Sequence, residues 1–210
     1  RKSSVNFADL DFSGIQQMKN ESDSLAQAQT NVNEFSHGLH LKTNLLAWGL
    51  AITNVAIEAD ITKHLSIAVP VMYSAYNYFT PTVKFRTFSI QPEIRYWIKE
   101  NNEGFFAGAH FGLAYYNVAV NGIKRYQDHD GKSPALGGGI SIGYRLPLSK
   151  KHPNWKVEFT VGAGAYRLHY DTFYNVENGR LIGTHKKTYW GVDNAAINIS
   201  YRFDLNKRKK

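Results

Sequence analysis

From Leu39 onward, apolar and polar residues alternate with a period of two. The alternation recurs in eight segments bounded by turn residues: Leu39–Trp48, Thr53–Thr62, Leu65–Tyr76, Phe85–Ile98, Phe105–Val120, Ala135–Leu148, Trp155–Tyr170 and Asn194–Leu205. Successive side chains of a strand point to opposite faces, so each segment predicts a strand with one apolar face. The last is the cleanest, with Ala195, Ile197, Ile199, Tyr201, Phe203 and Leu205 on one side and Asn194, Asn198, Ser200, Arg202 and Asp204 on the other. Residues 1–38 differ. They are polar and rich in Ser, Asn, Gln and Asp, too poor in large apolar groups to bury a core, so they predict an arm. Asp11 or Ser13 is placed to cap a short helix within it, running through Ala28.

Read in one register, the apolar face of the strands carries no charge. The opposite face mixes glycine and alanine with Lys42, Glu58, Asp60, Glu93, Arg95, Arg145, Lys156, Glu158, Arg202 and Asp204, a set balanced in sign. A soluble barrel would turn its apolar face inward and show a surface about 25–35% charged. Here the polar face holds Gly108, Gly112, Gly137, Gly139, Gly143, Gly162 and Gly164, which suit a narrow interior where space is needed for Met72, Tyr76, Tyr116 and Tyr166. The expected architecture is therefore all-β: an eight-stranded antiparallel up-and-down transmembrane β-barrel over residues 39–205, apolar face to lipid, with the arm before it and a basic tail, 206–210, after it. Tyr73, Tyr96, Trp97, Phe105, Tyr144, Trp155, Tyr201 and Phe203 lie near strand ends, where interfacial girdles sit.

Connection lengths orient such a barrel. Lys63–His64, Lys99–Glu103 and Ser149–Asn154 are short, as periplasmic turns are. Asn77–Lys84, Asn121–Pro134 and Asp171–Asp193 are longer, and Gly49–Ile52 is a tight link on the long-loop side. Both termini then fall on the periplasmic side of an outer membrane.

Composition adds limits. With 43% hydrophobic residues and a mean hydropathy of −0.40, no stretch is apolar enough for a spanning helix, and a β-barrel escapes such averaging. The absence of cysteine excludes thiol chemistry and disulfides. The formal charge of +8 lies in Lys207, Arg208, Lys209, Lys210 and loop residues such as Lys124, Arg125, Arg180, Lys186 and Lys187, not on a continuous stripe, so no nucleic-acid partner is expected. The chain opens on Arg1 with no leader, as a processed chain would.

Several runs are familiar. Leu41-Lys42-Thr43-Asn44-Leu45-Leu46, then Asn54-Val55-Ala56-Ile57-Glu58, resemble the opening strands of an outer-membrane barrel family of Bacteroidota. Gln91-Pro92-Glu93-Ile94-Arg95-Tyr96-Trp97 resembles its P-E-x-R-Y-W segment. Gly143 to Leu148, Trp155 to Phe159 and Gly162 to Tyr166 are similar to its later hairpin. The resemblance covers Leu39 to Leu205. That family carries no established activity; its members' association with surface-appendage or envelope assembly implies a non-enzymatic structural or accessory role.

The interior charges Lys42, Glu58, Asp60, Glu93, Arg95, Arg145, Glu158 and Arg202 are expected to form a network that fixes register and closes the lumen. A Glu58–Glu93 acid–base pair or a proton path is the sharper alternative. The histidines are scattered, without a catalytic motif. His169 and His185, near long loops, are the only candidates for a lipid-modifying hydrolase at the outer leaflet. Gly137-Gly138-Gly139 opens a strand and precedes no Lys-Ser/Thr, so it is no phosphate cradle. No catalytic residue, cofactor or metal is expected. The expected partners are outer-membrane lipid and a protein met through the arm or the long extracellular loops. A soluble barrel holding an apolar ligand is the third possibility.

Overall fold

The computed structural model describes residues 16–22, 37–77, 83–119 and 122–205. The chain divides into two compact units, Arg1–Phe35 and Ser36–Lys210. In the first, residues 16–22 form a helix, α1, exposed throughout, with Ser22 Oγ donating to Lys19 O at 2.8 Å. The expected helix ends at Asp11 or Ser13 and at Ala28 lie outside the described residues, as does the basic tail.

The second unit is all-β. Its strands are β1 (Gly38–Asn44), β2 (Thr53–Asp60), β3 (Leu65–Asn77), β4 (Lys84–Ile90), β5 (Glu93–Trp97), β6 (Gly104–Ala119), β7 (Lys124–Asp128), β8 (Ala135–Ser149), β9 (His152–Tyr174) and β10 (Leu181–Asp204), with a short helix α2 (Leu45–Gly49) after β1. All pairings are antiparallel. β10 pairs both β9 and β1, from Gly38↔Asp204 to Asn44↔Asn198, so the strands close into a ring. Around it, β1, β2 and β3 are followed by β4 with β5, then β6, β8, β9 and β10; β7 bridges β6 and β9 beyond the start of β8. Among the described residues no helix is long and apolar enough to cross a membrane, which says nothing of crossing by strands.

Four stretches differ from the sequence expectation, the first three for a local reason. The first strand stops at Asn44 rather than Trp48, because the Asn44 side chain accepts from Leu46 N–H at 3.0 Å and caps α2. Asn54 secures that corner, its Nδ2 donating to Asn44 O at 3.0 Å. The expected Phe85–Ile98 strand is interrupted at Gln91-Pro92, since proline brings no N–H to the ladder. Its register nevertheless continues: Val71↔Ile90 and Ala68↔Glu93 on β3 advance by three residues on each side, so β4 and β5 are one line of chain. Asp171–Asp193 is not a loop. β9 and β10 pair as far as Leu181↔Phe173, and a bulge between Val192 and Asn194, with Asp193 as the extra residue, breaks the alternation there. The Asn121–Pro134 connection contains β7. Most of Asn77–Lys84 lies outside the described residues.

The ring is apolar outside and turns its charged side chains inward. Ile140 is 70% and Ile142 63% exposed, and Leu41, Ile57, Ile94, Phe105, Phe159 and Phe203 are exposed with them. Buried apolar residues among those described are mostly alanines, whereas Lys42, Glu58, Glu93, Arg95, Arg145 and Glu158 are all buried, the reverse of the usual partition in water. Gly112 and Gly137 leave room for the Tyr166 ring, which a Cβ at either would overlap. Trp97 corrects the girdle assignment: it is completely buried inside the ring, because it shares the parity of Glu93 and Arg95 on β5.

Candidate functional site

The site is the ring's interior. β1 and β2 carry Lys42 and Glu58, β5 carries Glu93 and Arg95, and β8 and β9 carry the directly paired Arg145 and Glu158. Inward parity on each strand points all six toward one centre. Lys42 Nζ is ion-paired with Glu58 and lies 2.9 Å from Glu158 Oε2. Arg95 donates from Nη2 to Glu93 Oε2 at 2.6 Å, and from Nη1 to Glu58 Oε2 at 3.2 Å and Glu158 Oε1 at 2.8 Å. Arg145 donates from Nη2 to Glu58 Oε2 at 2.5 Å and Glu158 Oε2 at 2.6 Å. Three cations thus meet three carboxylates, and the cluster is neutral.

Neutral donors complete it. Ser66 Oγ donates to Glu58 Oε1 at 2.6 Å, Asn198 Nδ2 to Glu158 Oε1 at 3.0 Å, and Ser141 Oγ to Glu93. Trp97 Nε1 donates to Ser66 Oγ at 2.8 Å while its ring lies 4.3 Å beneath the Arg145 guanidinium; Phe106 lies 4.5 Å beneath that of Arg95. Space beside Lys42 and Arg95 amounts to about 30 Å³, one water's worth. Glu58 and Glu93 are both committed to Arg95, so neither is a free base.

The structure does not bring Asp60 and Arg202 into this cluster. Asp60 Oδ2 lies 3.0 Å from His40 Nε2 and 3.5 Å from Arg202 Nε, with Arg202 Nη1 3.2 Å from Asp204 Oδ1, nearer the end of the ring where the chain enters and leaves it. Lys156 pairs with Glu103 at 2.5 Å. Sequence reasoning missed Trp97, His40, Glu103 and the serine donors. Parity was a legible signal for three of them: Trp97 shares it with Arg95, His40 with Lys42 and Ser141 with Arg145.

On the other side of the six charges the interior opens into a cavity of about 1120 Å³, walled by Met72, Phe85, Tyr116, Leu168, Leu46 and Ile52 among others. At its base Gln91 Nε2 donates to Tyr166 Oη at 3.1 Å, and His110 Nε2 lies 2.6 Å from Asp193 Oδ2. The buried His110 Nδ1 has no hydrogen-bond partner.

His169 and His185 lie within β9 and β10, not in loops. The His169 ring lies tilted against that of His129, with centroids 4.1 Å apart, and His185 lies against Tyr170. Beyond the apolar belt, His129 Nδ1 lies 2.9 Å from Asp171 Oδ1, which also accepts from Thr184 Oγ1 at 2.6 Å. The bond to Asp171 raises the His129 pKa. His129, Asp130 and Asp171 could hold a metal ion, their ligand atoms lying within 4.8 Å of one another. His129 already turns one nitrogen to each carboxylate, Nδ1 to Asp171 and Nε2 to Asp130 at 3.3 Å.

Searches among curated proteins and among solved structures found no match. The family described as protein of unknown function (DUF3575) matches residues 24–203, a span that takes in residues 24–38 of the arm as well as nearly all of the ring. A strand ring with this interior, matched over most of its length, belongs to the DUF3575 family.

Proposed function

We propose that the chain is an integral outer-membrane β-barrel, non-enzymatic, serving as a structural or accessory subunit of a cell-envelope or surface-appendage assembly. The observation that carries this reading is the inverted partition: a neutral, fully bonded set of charges within and a continuous apolar face without. In water such a face would be an aggregation hazard far larger than the few hundred Å² that soluble proteins tolerate; in hydrocarbon it is the required surface. Counting β4 with β5 as one stave, and β7 as an extension beyond β8, gives eight staves, a number whose interior side chains can fill.

The charge cluster closes the lumen, which argues for anchoring rather than diffusion. Gly38↔Asp204 sets both ends of the ring beside the turns after β2, β5 and β8, the end that faces the periplasm in outer-membrane barrels. Unit Arg1–Phe35 would then be presented to periplasmic partners. The test is fractionation followed by affinity capture. Intact protein should resist carbonate extraction, require detergent, and retain specific envelope proteins that are lost when residues 1–35 are deleted. A chain that stays monodisperse without detergent overturns the membrane reading. Unchanged partners after the deletion overturn docking through the arm. Altered lipid species in cells that overproduce the chain, abolished by His169→Ala or His185→Ala, would favour the hydrolase instead.

A further inference from the structure

We infer that the cavity beyond the charge cluster is a binding site for one long acyl chain of an anionic amphiphile, with the chain inside the ring and the head at Lys187. This rests on the membrane reading and adds a ligand to it.

At about 1120 Å³ the cavity is slightly larger than the usual small-ligand pocket of about 300–1,000 Å³. Its walls are mainly aliphatic or aromatic, and the sole charged group lining it among the described residues, Asp193, is already engaged by His110. A phosphate or carboxylate would find no counter-charge within, so a bound amphiphile must leave its head outside. The inner face supplies a cation at that point. Tyr166 and Tyr189 are directly paired and line the cavity. The next inward pair along the same strands is Leu168 and Lys187, and Lys187 is exposed. Directly paired residues of antiparallel strands share a face, which sets Lys187 beside Leu168, at the rim of the cavity that Leu168 lines.

The wall beside the cavity is also low. β1–β10 pairing ends at Asn44↔Asn198, while β10 continues to Leu181. α2 occupies the place a longer β1 would take. Its backbone bonds turn back on its own residues, Leu50 N to Leu46 O and Ile52 N to Ala47 O, and the Asn44 side chain makes the link to β10 through Ala195 O at 3.2 Å. Leu45, Leu46 and Leu50 of this stretch line the cavity. Side chains rather than a hydrogen-bonded ladder separate the cavity from the apolar exterior here, and side chains can part to admit a chain.

The test is native mass spectrometry of the full chain released from detergent micelles, loaded with palmitic acid in one arm and with dipalmitoyl phosphatidylglycerol in the other. One bound molecule per chain is expected, and the arm that gives it identifies the source of the acyl group. Thr87→Trp and Ala114→Phe, both facing the cavity, should each abolish the adduct. Ile140→Trp on the outer face should leave it, and Lys187→Glu should weaken it. Two filling variants are used so that a failure of one to fold leaves the other. No adduct in either arm, or an adduct that survives both filling variants, overturns the site. Unchanged binding in Lys187→Glu overturns the placement of the head. A chain that still needs detergent yet carries no adduct would remove the ligand and leave the barrel.

Discussion

Arg145 Nη2 on β8 donates to Glu58 Oε2 on β2 at 2.5 Å, joining two strands that are not neighbours in the ring. The bond crosses the interior, so it tests whether the centre is filled. Arg145→Ala leaves Glu58 and Glu158 short of a cation in a site that water barely enters. It should cost about 3–5 kcal/mol, as breaking one partner of a buried ion pair does, and Arg95→Ala should act in the same direction. The exposed turn residue Lys151 sets the reference: Lys151→Ala should stay within about 0.5 kcal/mol. Urea unfolding in lipid vesicles measures all three, and equal midpoints would mean the cluster is solvated.

The outer face gives the complementary test. Ile142→Lys exchanges a 63% exposed residue for a charge. On a soluble surface the change would be neutral, whereas facing mid-bilayer it should cost about 2–4 kcal/mol. Folding yield into vesicles, compared with Ile142→Leu, separates these outcomes.

Two tryptophans report inside and outside directly. Trp97 is buried beneath Arg145, while Trp155 is exposed and packs edge-on against Tyr201. In vesicles of brominated lipid, a variant keeping only Trp155 should be strongly quenched and one keeping only Trp97 should hold its emission. Equal quenching would place Trp97 against lipid.

The bridge between His129 and Asp171 predicts a pH window for the hairpin extension. The bond to Asp171 raises the His129 pKa from its ordinary 6.5, so its contribution is complete below 6.5 and fades as pH rises through the raised value. Burial works against the Asp171 carboxylate, but bonds from Thr184, His129 and Asp130 N–H outweigh it and lower the pKa from 3.8. Its contribution is therefore complete above 3.8 and fades as pH falls through the lowered value. Asp130 favours protonated His129, and Lys186 opposes it. Amide exchange in Lys124–Asp128, corrected for intrinsic rates, should be slowest between 3.8 and 6.5. A flat profile that Asp171→Asn leaves unchanged would sink the bridge.

What could be read in advance follows from periodicity. Wherever alternation runs unbroken, as in Glu93, Arg95, Arg145 and Glu158, parity alone assigns an inward face, and the structure buries those residues. Where a single residue interrupts the period, the reading stops short. Asp193 is the extra residue of a bulge, and beyond it β10 continues with its parity shifted, which made twelve further strand residues resemble a loop. Asn44 ends β1 by capping a helix too short to show a 3.6 period. Distances across the ring, such as the separation of Asp60 and Arg202 from the other six charges, depend on strand stagger and leave no trace in a single sequence.

The charge cluster also bears on how the wall can be assembled. Lys42 and Glu58 share the β1–β2 hairpin, Glu93 and Arg95 share β5, and Arg145 and Glu158 face each other on the β8–β9 hairpin. Each local piece therefore brings one cation and one carboxylate to the cluster. The bonds across the ring, and the Asn198 donor, require the complete ring, in which β10 meets β1. Such an arrangement lets the charges pair locally first and reserves the bonds across the interior for the complete ring.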